Sequence, residues 1–250
     1  MGNGMFVGVS GTARGVKAAY IGAGGTARKA TKIYVGVHGI ARLTYSALPP
    51  SRLPAGYTEV EYVQSDGTSY LDSGVVPSSK LKMVMDIETL IKPSSGTSYL
   101  FYSQSTGKSG TTSHTRKLNI YVASSGIKGS MSTITGTVAA TSITSDSSAR
   151  RMTASFDYPN KKFGVDATLK AGSPGGYYPT ASVKLLGSSA SNVNGIKAKL
   201  YSCKFYESGV LTHDFVPCTN PDGTAGLYDL LNGAFLAAVT PSALTAGPVV

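Results

Sequence analysis

Apolar and polar side chains alternate with a period of two along much of the chain after residue 80. Such alternation is typical of β-strands that bury one face of an antiparallel sheet and expose the other. No stretch shows a helical period, so the pattern predicts roughly a dozen strands in two packed sheets, with a closed barrel as the alternative. The apolar positions of the four clearest segments are Leu81, Met83, Met85 and Ile87; Leu118, Ile120 and Val122; Met152, Ala154 and Phe156; and Phe163, Val165, Ala167 and Leu169.

Three dipeptides mark turns between extended segments. Asp66-Gly67 predicts a tight β-hairpin within residues 53–77, with residues 68–71 as the returning strand. Ser208-Gly209 and Asn232-Gly233 predict two further hairpins. Residues 90–150 are rich in Ser, Thr and Gly, which predicts loops and rim strands there, where ligand specificity usually lies.

A short repeat precedes this body. The segments FVGVSGTAR (6–14), YIGAGGTAR (20–28) and YVGVHGIAR (34–42) align without gaps at a period of 14. Each copy predicts two extended segments around a glycine turn, so three copies give a small meander or spiral of about six short strands. GAGGTAR lacks the strand and helix context of a nucleotide-binding loop. Prolines at 49, 50 and 54 predict a stiff connector. We therefore divide the chain into a repeat domain (1–46), a connector (47–56) and a main domain (57–250).

Charge is concentrated in the repeat. The chain carries a net charge of +10, and the first 45 residues contain six cations and no Asp or Glu. We call these 45 residues the basic arm. Binding to an acidic partner would explain its positive charge, and so would a merely solvated rim. No apolar run is long enough for a membrane span, and no secretory leader opens the sequence, which predicts synthesis in a cytoplasm. The candidate anchoring residues are Arg14, Lys17, Arg28, Lys29, Lys32 and Arg42.

The two cysteines are expected to be free thiols. A hairpin closed at Ser208-Gly209 would place Cys203 opposite Asp214 and Cys218 opposite Lys199. The thiols would then lie about 13 Å apart along the sheet. A disulfide needs Cα atoms closer than about 7 Å.

Three segments resemble concanavalin A-like (laminin G-like) domains of phage and prophage proteins. They are LPAGYTEVEYVQSDGTSYLDSGV at 53–75, FDYPNKKFGVD at 156–166 and KLYSCKFYESGVLTHDFVPCTNPDGTAGLYDLLNGAFL at 199–236. The resemblance covers roughly residues 53 to 247 and implies an antiparallel jelly-roll β-sandwich there. With the small N-terminal β-repeat domain in front of it, the chain is expected to be all-β. The resemblance also implies a non-enzymatic virion protein of the tail fibre or baseplate, presenting a carbohydrate-binding domain to a host or mucosal glycan. A decoration protein on the capsid surface (a head fibre) is the alternative.

The repeat would anchor such a protein to other virion proteins. One copy buries too little surface to stand alone, so neighbouring copies or other chains must complete its core. We therefore expect a homo-oligomer, with a trimer favoured, on the virion surface. Nucleic-acid binding through the basic arm is a further hypothesis, which predicts strong salt dependence.

Catalytic and metal-binding patterns are incomplete. Asp86 and Glu88 share a strand face, as do Glu59 and Glu61. Glucanases of the concanavalin A-like fold carry E-x-D-x-x-E on one strand, and here Ile91 occupies the position of the third carboxylate. A glycan depolymerase is therefore a second hypothesis. The three histidines (His38, His114 and His213) have no metal-ligand spacing. Candidate calcium ligands by residue type alone are Asp72, Asp146, Asp166 and Asp222. We expect no metal and no cofactor.

Tyrosine carries the best indication of binding. The chain has 15 Tyr and no Trp. Tyr177 and Tyr178 lie in a Gly/Pro-rich loop, and Tyr102 and Tyr121 fall on the polar phase of their strands. A tyrosine ring with a polar tip suits a sugar or an interface. These four are the candidate ligand-binding residues, with coverage of the sheet surface or a subunit contact as the alternative.

Overall fold

The computed structural model describes residues 52–109, 111–134, 140–173, 178–188, 194–239 and 242–250, and before residue 47 the backbone of six strands. These strands form three two-stranded antiparallel sheets, one for each copy of the repeat. In the described backbone no ladder joins one pair to the next, so the continuous meander is not seen there. The six strands are β1 (Phe6–Val9), β2 (Thr12–Gly15), β3 (Tyr20–Ala23), β4 (Thr26–Lys29), β5 (Lys32–Val37) and β6 (Ile40–Ser46).

The chain contacts divide into two compact units, Met1–Arg52 and Leu53–Val250. The second unit contains only strands and loops in its described residues. No helix in the described part of the chain could span a membrane. The strands of the second unit are β7 (Thr58–Glu59), β8 (Val63–Asp66), β9 (Leu71–Asp72), β10 (Leu81–Thr89), β11 (Thr97–Ser109), β12 (Thr112–Ala123), β13 (Gly126–Ile134), β14 (Thr141–Thr144), β15 (Arg151–Asp157), β16 (Lys162–Val165), β17 (Thr168–Ala171), β18 (Lys184–Leu185), β19 (Lys197–Glu207), β20 (Val210–Thr219), β21 (Ala225–Asp229), β22 (Phe235–Ala237) and β23 (Thr245–Ala246).

Two antiparallel sheets share one core. The six-stranded sheet has the order β14-β13-β12-β11-β18-β9, and the eleven-stranded sheet follows β17-β16-β15-β10-β19-β20-β21-β22, with β7, β8 and β23 attached to it. One cluster of buried side chains contains residues from both sheets. The rings of Phe101 on β11 and Phe156 on β15 meet with centroids 5.6 Å apart. The all-β, two-sheet prediction is confirmed.

The predicted hairpin around Asp66-Gly67 is wrong. Gly67 does adopt the left-handed conformation (φ 93°), and Thr68 N donates to Asp66 Oδ1 (2.9 Å). However, β8 pairs with β19 and β23, whereas β9 pairs with β18 in the other sheet. The turn therefore carries the chain from one sheet to the other.

Two further predictions in the body need correction. Residues 90–150 are not mainly loops and rim strands, because they contain β11 and β12, which occupy the middle of the six-stranded sheet. The segment from Phe163 to Leu169 is not one strand. Asp166 has a φ of 51°, and Val165 pairs with Thr168, so the chain reverses and Leu169 is 46% exposed.

The hairpin at Ser208-Gly209 is confirmed, with φ values of 52° and 81°. A bulge between Phe205 and Tyr206 shifts the register by one, so Cys203 faces Phe215 rather than Asp214. Cys218 pairs with Gly226 and Glu59, not with Lys199.

Both cysteines are free and buried, as expected. Burial raises the pKa of the Cys203 thiol, and it raises that of Cys218 to about 12.

The hairpin at Asn232-Gly233 is also confirmed. Its loop is longer than two residues, because β21 and β22 close on a hydrogen bond from Asp229 N to Ala234 O (2.8 Å). Gly233 supplies the left-handed position (φ 74°).

Candidate functional site

The side of the six-stranded sheet that faces away from the shared core carries three tyrosines. The pairing of β11 with β12 places Tyr99 opposite Tyr121, Tyr102 opposite Asn119, and Gln104 opposite Lys117. On β13, Lys128 lies opposite Tyr121 and Ser130 opposite Asn119. Directly opposed residues of antiparallel strands share a face, so these side chains form one surface. We call this surface, formed by Tyr99, Tyr102, Gln104, Lys117, Asn119, Tyr121 and Lys128, the tyrosine face.

A β-bulge brings the third tyrosine to this surface. The β11–β12 register shifts between Tyr99 and Phe101, which leaves Leu100 as an extra residue. Leu100 and Phe101 are both fully buried in the core. Without the bulge, strict alternation would place Tyr99 on the same side as Phe101.

The three rings form one aromatic cluster. The Tyr99 ring lies 4.8 Å from that of Tyr102 and 5.5 Å from that of Tyr121, both in edge-to-face contact. Burial raises the pKa of all three phenols. Tyr102 donates its hydroxyl to Gln104 Oε1 (2.8 Å), which fixes the direction of its ring. The cluster is thus a rigid, partly exposed aromatic platform.

Asn119 lies beside this platform and has no hydrogen-bond partner. Its side chain is 0% exposed, and neither Oδ1 nor Nδ2 has a partner in the structure. Ser132 Oγ, on the neighbouring strand, is also buried and unpaired. A buried polar group without a partner costs about 1–3 kcal/mol. Such groups therefore call for an explanation, and an unbound ligand is one.

Lys117 provides a positive charge at the same place. Its Nζ lies 6.0 Å from the centroid of the Tyr102 ring, a cation–π arrangement. Burial lowers the pKa of the Lys117 ammonium. Beyond Tyr102, Lys184 is opposite Asp72 and forms an ion pair with it, so the cation there is neutralised.

The four tyrosines predicted from the sequence are not all together. Tyr102 and Tyr121 lie on the tyrosine face. Tyr178 packs against the core, and its ring meets Tyr158 edge-to-face at 4.8 Å. Tyr177 lies outside the described residues, as do the side chains of the six candidate anchoring cations.

The predicted carboxylate pair lies on the outer face of the other sheet, within ion pairs. Arg151 donates to both oxygens of Asp86 (2.9 and 2.8 Å). Glu88 accepts from the hydroxyl of Tyr201 (2.6 Å) and lies 3.3 Å from Lys199 Nζ. The Tyr201 hydrogen bond, followed by the Lys199 interaction, holds the pKa of Glu88 below its usual range.

The candidate metal ligands are also held by other groups. Asp72 pairs with Lys184, while Asp146 and Asp166 both contact Arg150. Asp222 lies in an exposed turn, where its N–H donates to Asn220. In the described part of the chain, no three His, Cys, Asp or Glu residues lie close enough to hold a metal ion.

His213 belongs to a separate structural cluster. Its Nδ1 lies 2.7 Å from Asp229 Oδ2, and its ring stacks on Phe215 at 5.6 Å. Asn232 Nδ2 donates to the same carboxylate (2.6 Å). These contacts tie the last hairpin loop to β20. His114 is on β12, and His38 lies outside the described residues.

Sequence reasoning missed five of the seven residues of the tyrosine face: Tyr99, Gln104, Lys117, Asn119 and Lys128. Tyr99 was missed because the bulge is not visible in the period-2 pattern. Asn119 and Lys117 were recognised only as polar positions of a strand. These two residues are candidate site residues because their side chains are wholly or partly buried and have no partner. That property depends on the neighbouring strands. The sequence matches no protein-family model and no curated protein.

Proposed function

We propose that this protein is a non-enzymatic adhesion protein that binds a glycan on its tyrosine face. One observation carries the proposal: three tyrosine rings, two of them partly exposed, cluster on an outer sheet surface beside the unpartnered Asn119 and Lys117. Binding sites commonly combine apolar rings with a few fixed polar groups.

The chemistry of this surface suits a sugar. Tyrosine rings offer flat apolar faces to the C–H groups of a pyranose, and their hydroxyls remain able to form hydrogen bonds. Because Tyr102 is already oriented by Gln104, little side-chain entropy is lost on binding.

The setting we propose is a phage virion. The sequence resemblance to concanavalin A-like domains of phage proteins supports it, and a jelly-roll sandwich accords with the two antiparallel sheets that share a core. The basic repeat would anchor the chain to other virion proteins or to copies of itself. In the described backbone each repeat copy pairs only with itself, and isolated two-stranded hairpins are marginally stable.

The state of the carboxylates supports binding rather than hydrolysis. A glycosidase requires a general acid whose pKa is raised so that it stays protonated. Hydrogen bonds lower the pKa of Glu88, and Asp86 is held by a bidentate ion pair. Glu88 is thus stabilised as a carboxylate, and both oxygens of Asp86 are occupied by Arg151.

A glycan array probed with the full chain tests the proposal. We expect binding to at least one glycan, and we expect the double variant Tyr102→Ala/Tyr121→Ala to bind it at least about tenfold more weakly. Each aromatic anchor typically contributes more than about 1 kcal/mol, and about 1.4 kcal/mol corresponds to a factor of ten.

Tyr206→Ala provides the matched control. Tyr206 is a partly buried tyrosine on the outer face of the other sheet, opposite Lys82. Its loss should leave binding unchanged. If no glycan binds, or if the control weakens binding as much as the double variant, the proposal is wrong.

A further inference from the structure

We infer that the glycan held by the tyrosine face is anionic, bearing carboxylate or sulfate groups that Lys117 and Lys128 bind. This inference rests on the proposed function and adds the class of ligand. It follows from how charge is divided between the two sheets.

The two sheets differ in their balance of charge. The strands of the six-stranded sheet contain five Lys or Arg and one Asp, a balance of +4. Those of the eleven-stranded sheet contain seven Lys or Arg and eight Asp or Glu, a balance of −1. The excess positive charge of the body is thus concentrated in the sheet that carries the tyrosine face.

On the eleven-stranded sheet, four of the seven cations in the strands are matched by carboxylates. The ion pairs there are Lys82 with Asp157 (3.7 Å), Arg151 with Asp86 (2.8 Å), Lys199 with Glu88 (3.3 Å) and Lys204 with Asp214 (3.4 Å). These four charges are thus neutralised without any ligand.

Lys117 and Lys128 have no such partner. All 13 Asp and Glu residues of the chain lie in its described part, and none forms an ion pair with either lysine. Both side chains are partly buried. Lys117 lies opposite Gln104, where a carboxylate would otherwise satisfy it. An anionic group of a ligand would form charge-assisted hydrogen bonds to these ammonium groups.

The positions of the polar and aromatic groups along β12 also give each group a separate role. Asn119 is on the same strand face as Lys117 and Tyr121, two residues from each, so an amide, a cation and an aromatic ring line one short path. A sugar stacked on the tyrosines would bring its acidic substituent to the lysines. A neutral sugar would leave both cations unpaired.

The test is the same array, carrying neutral, carboxylated and sulfated glycans, probed with the full chain. We expect the bound glycans to be acidic, and methyl esterification of a carboxylated one to abolish its binding. The carboxylated and sulfated members show which acidic group is preferred. Lys117→Gln/Lys128→Gln should weaken binding by at least tenfold, and added salt should weaken the binding of the wild-type chain.

Lys162→Gln/Lys170→Gln is the matched control, because it removes two charges from strands of the other sheet. It separates local binding from general attraction of the basic chain to polyanions. Gln104→Glu is a second variant that preserves side-chain shape and sets a carboxylate opposite Lys117. It should weaken acidic-glycan binding at least tenfold without lowering the melting temperature.

The outcomes distinguish the two proposals. Binding to neutral glycans, lost in Tyr102→Ala/Tyr121→Ala, would overturn the anionic ligand and leave the adhesion function standing. Equal losses in the two double lysine variants would also overturn the anionic ligand. Binding to no glycan at all would overturn both.

Discussion

The Asp229 carboxylate is expected to hold the C-terminal hairpin in place, and its removal tests the structure of the body. The side chain is 1% exposed. Its Oδ1 accepts from the backbone N–H groups of Asp214 and Leu231 (3.1 Å each). Its Oδ2 accepts from Asn232 Nδ2 (2.6 Å) and lies 2.7 Å from His213 Nδ1. One carboxylate therefore satisfies four groups, two on β20 and two in the loop between β21 and β22.

The size of the effect follows from these four contacts. In Asp229→Ala, the side chains of His213 and Asn232 can turn to water, because both reach the surface. The two backbone N–H groups are part-buried and lose their acceptor, and each such donor left unpaired costs about 1–3 kcal/mol. We expect the free energy of unfolding to fall by about 3–5 kcal/mol. Asp229→Asn keeps one acceptor oxygen and the shape of the side chain, so it should cost roughly half as much.

The pH dependence provides a second measurement on the same variants. Although burial opposes ionisation, hydrogen bonds from Asn232 and His213, followed by those from the backbone, keep the pKa of Asp229 below its ordinary value of 3.8. The stabilisation is therefore complete above pH 3.8 and is lost as the pH falls through the lower folded-state pKa. The difference between wild type and Asp229→Asn should accordingly shrink below about pH 4.

Urea unfolding followed by tyrosine fluorescence or circular dichroism measures both effects. A loss below about 1 kcal/mol in Asp229→Ala at pH 7 would show that the four contacts do not form together. A difference between wild type and Asp229→Asn that stays constant down to pH 2.5 would show that the carboxylate is not preferentially stabilised in the folded state.

Two further predictions concern the core. Phe156→Ala should lower the free energy of unfolding by about 3–5 kcal/mol, because the buried ring packs against Phe101 and Tyr158 across the two sheets. Leu169→Ala, at a position that is 46% exposed, should change it by less than about 0.5 kcal/mol, and equal losses in the two variants would contradict the packing. Cys203 and Cys218 should not react with a thiol reagent in the folded protein at pH 8 and should both react in denaturant, because each is buried with a raised pKa. Fast labelling of either thiol in the native state would refute their burial.

Alternation along single strands was predictable from the sequence, because each strand meets only two environments. On β10 the predicted apolar positions are all buried, from Leu81 at 2% exposure to Ile87 at 0%. The same holds for the predicted positions of β12 and β15. Burial of one face requires no knowledge of which strand lies beside it.

Strand partners and registers were less predictable, because they depend on contacts distant in sequence. Asp66-Gly67 has the composition of a hairpin turn, yet β8 and β9 join different sheets. Bulges cause the other errors. One beside Phe205 shifts the register of Cys203, and one at Leu100 brings Tyr99 to the tyrosine face. A single inserted residue reverses which side chains are exposed, and alternation alone cannot reveal it.

Two groups of the tyrosine face lower the stability of the folded chain, and this supports the proposed role of the face in binding. A buried amide without a partner and a partly buried ammonium without a carboxylate both destabilise a folded chain. Asn119 and Lys117 have these two properties two residues apart on β12. Lys82 and Lys204 of the other sheet, by contrast, are both paired with carboxylates. One substitution at Gln104, directly opposite Lys117, could supply a carboxylate. Proteins commonly give up some stability at the sites that serve function, and here a bound anionic sugar would supply the charge partner that Lys117 lacks.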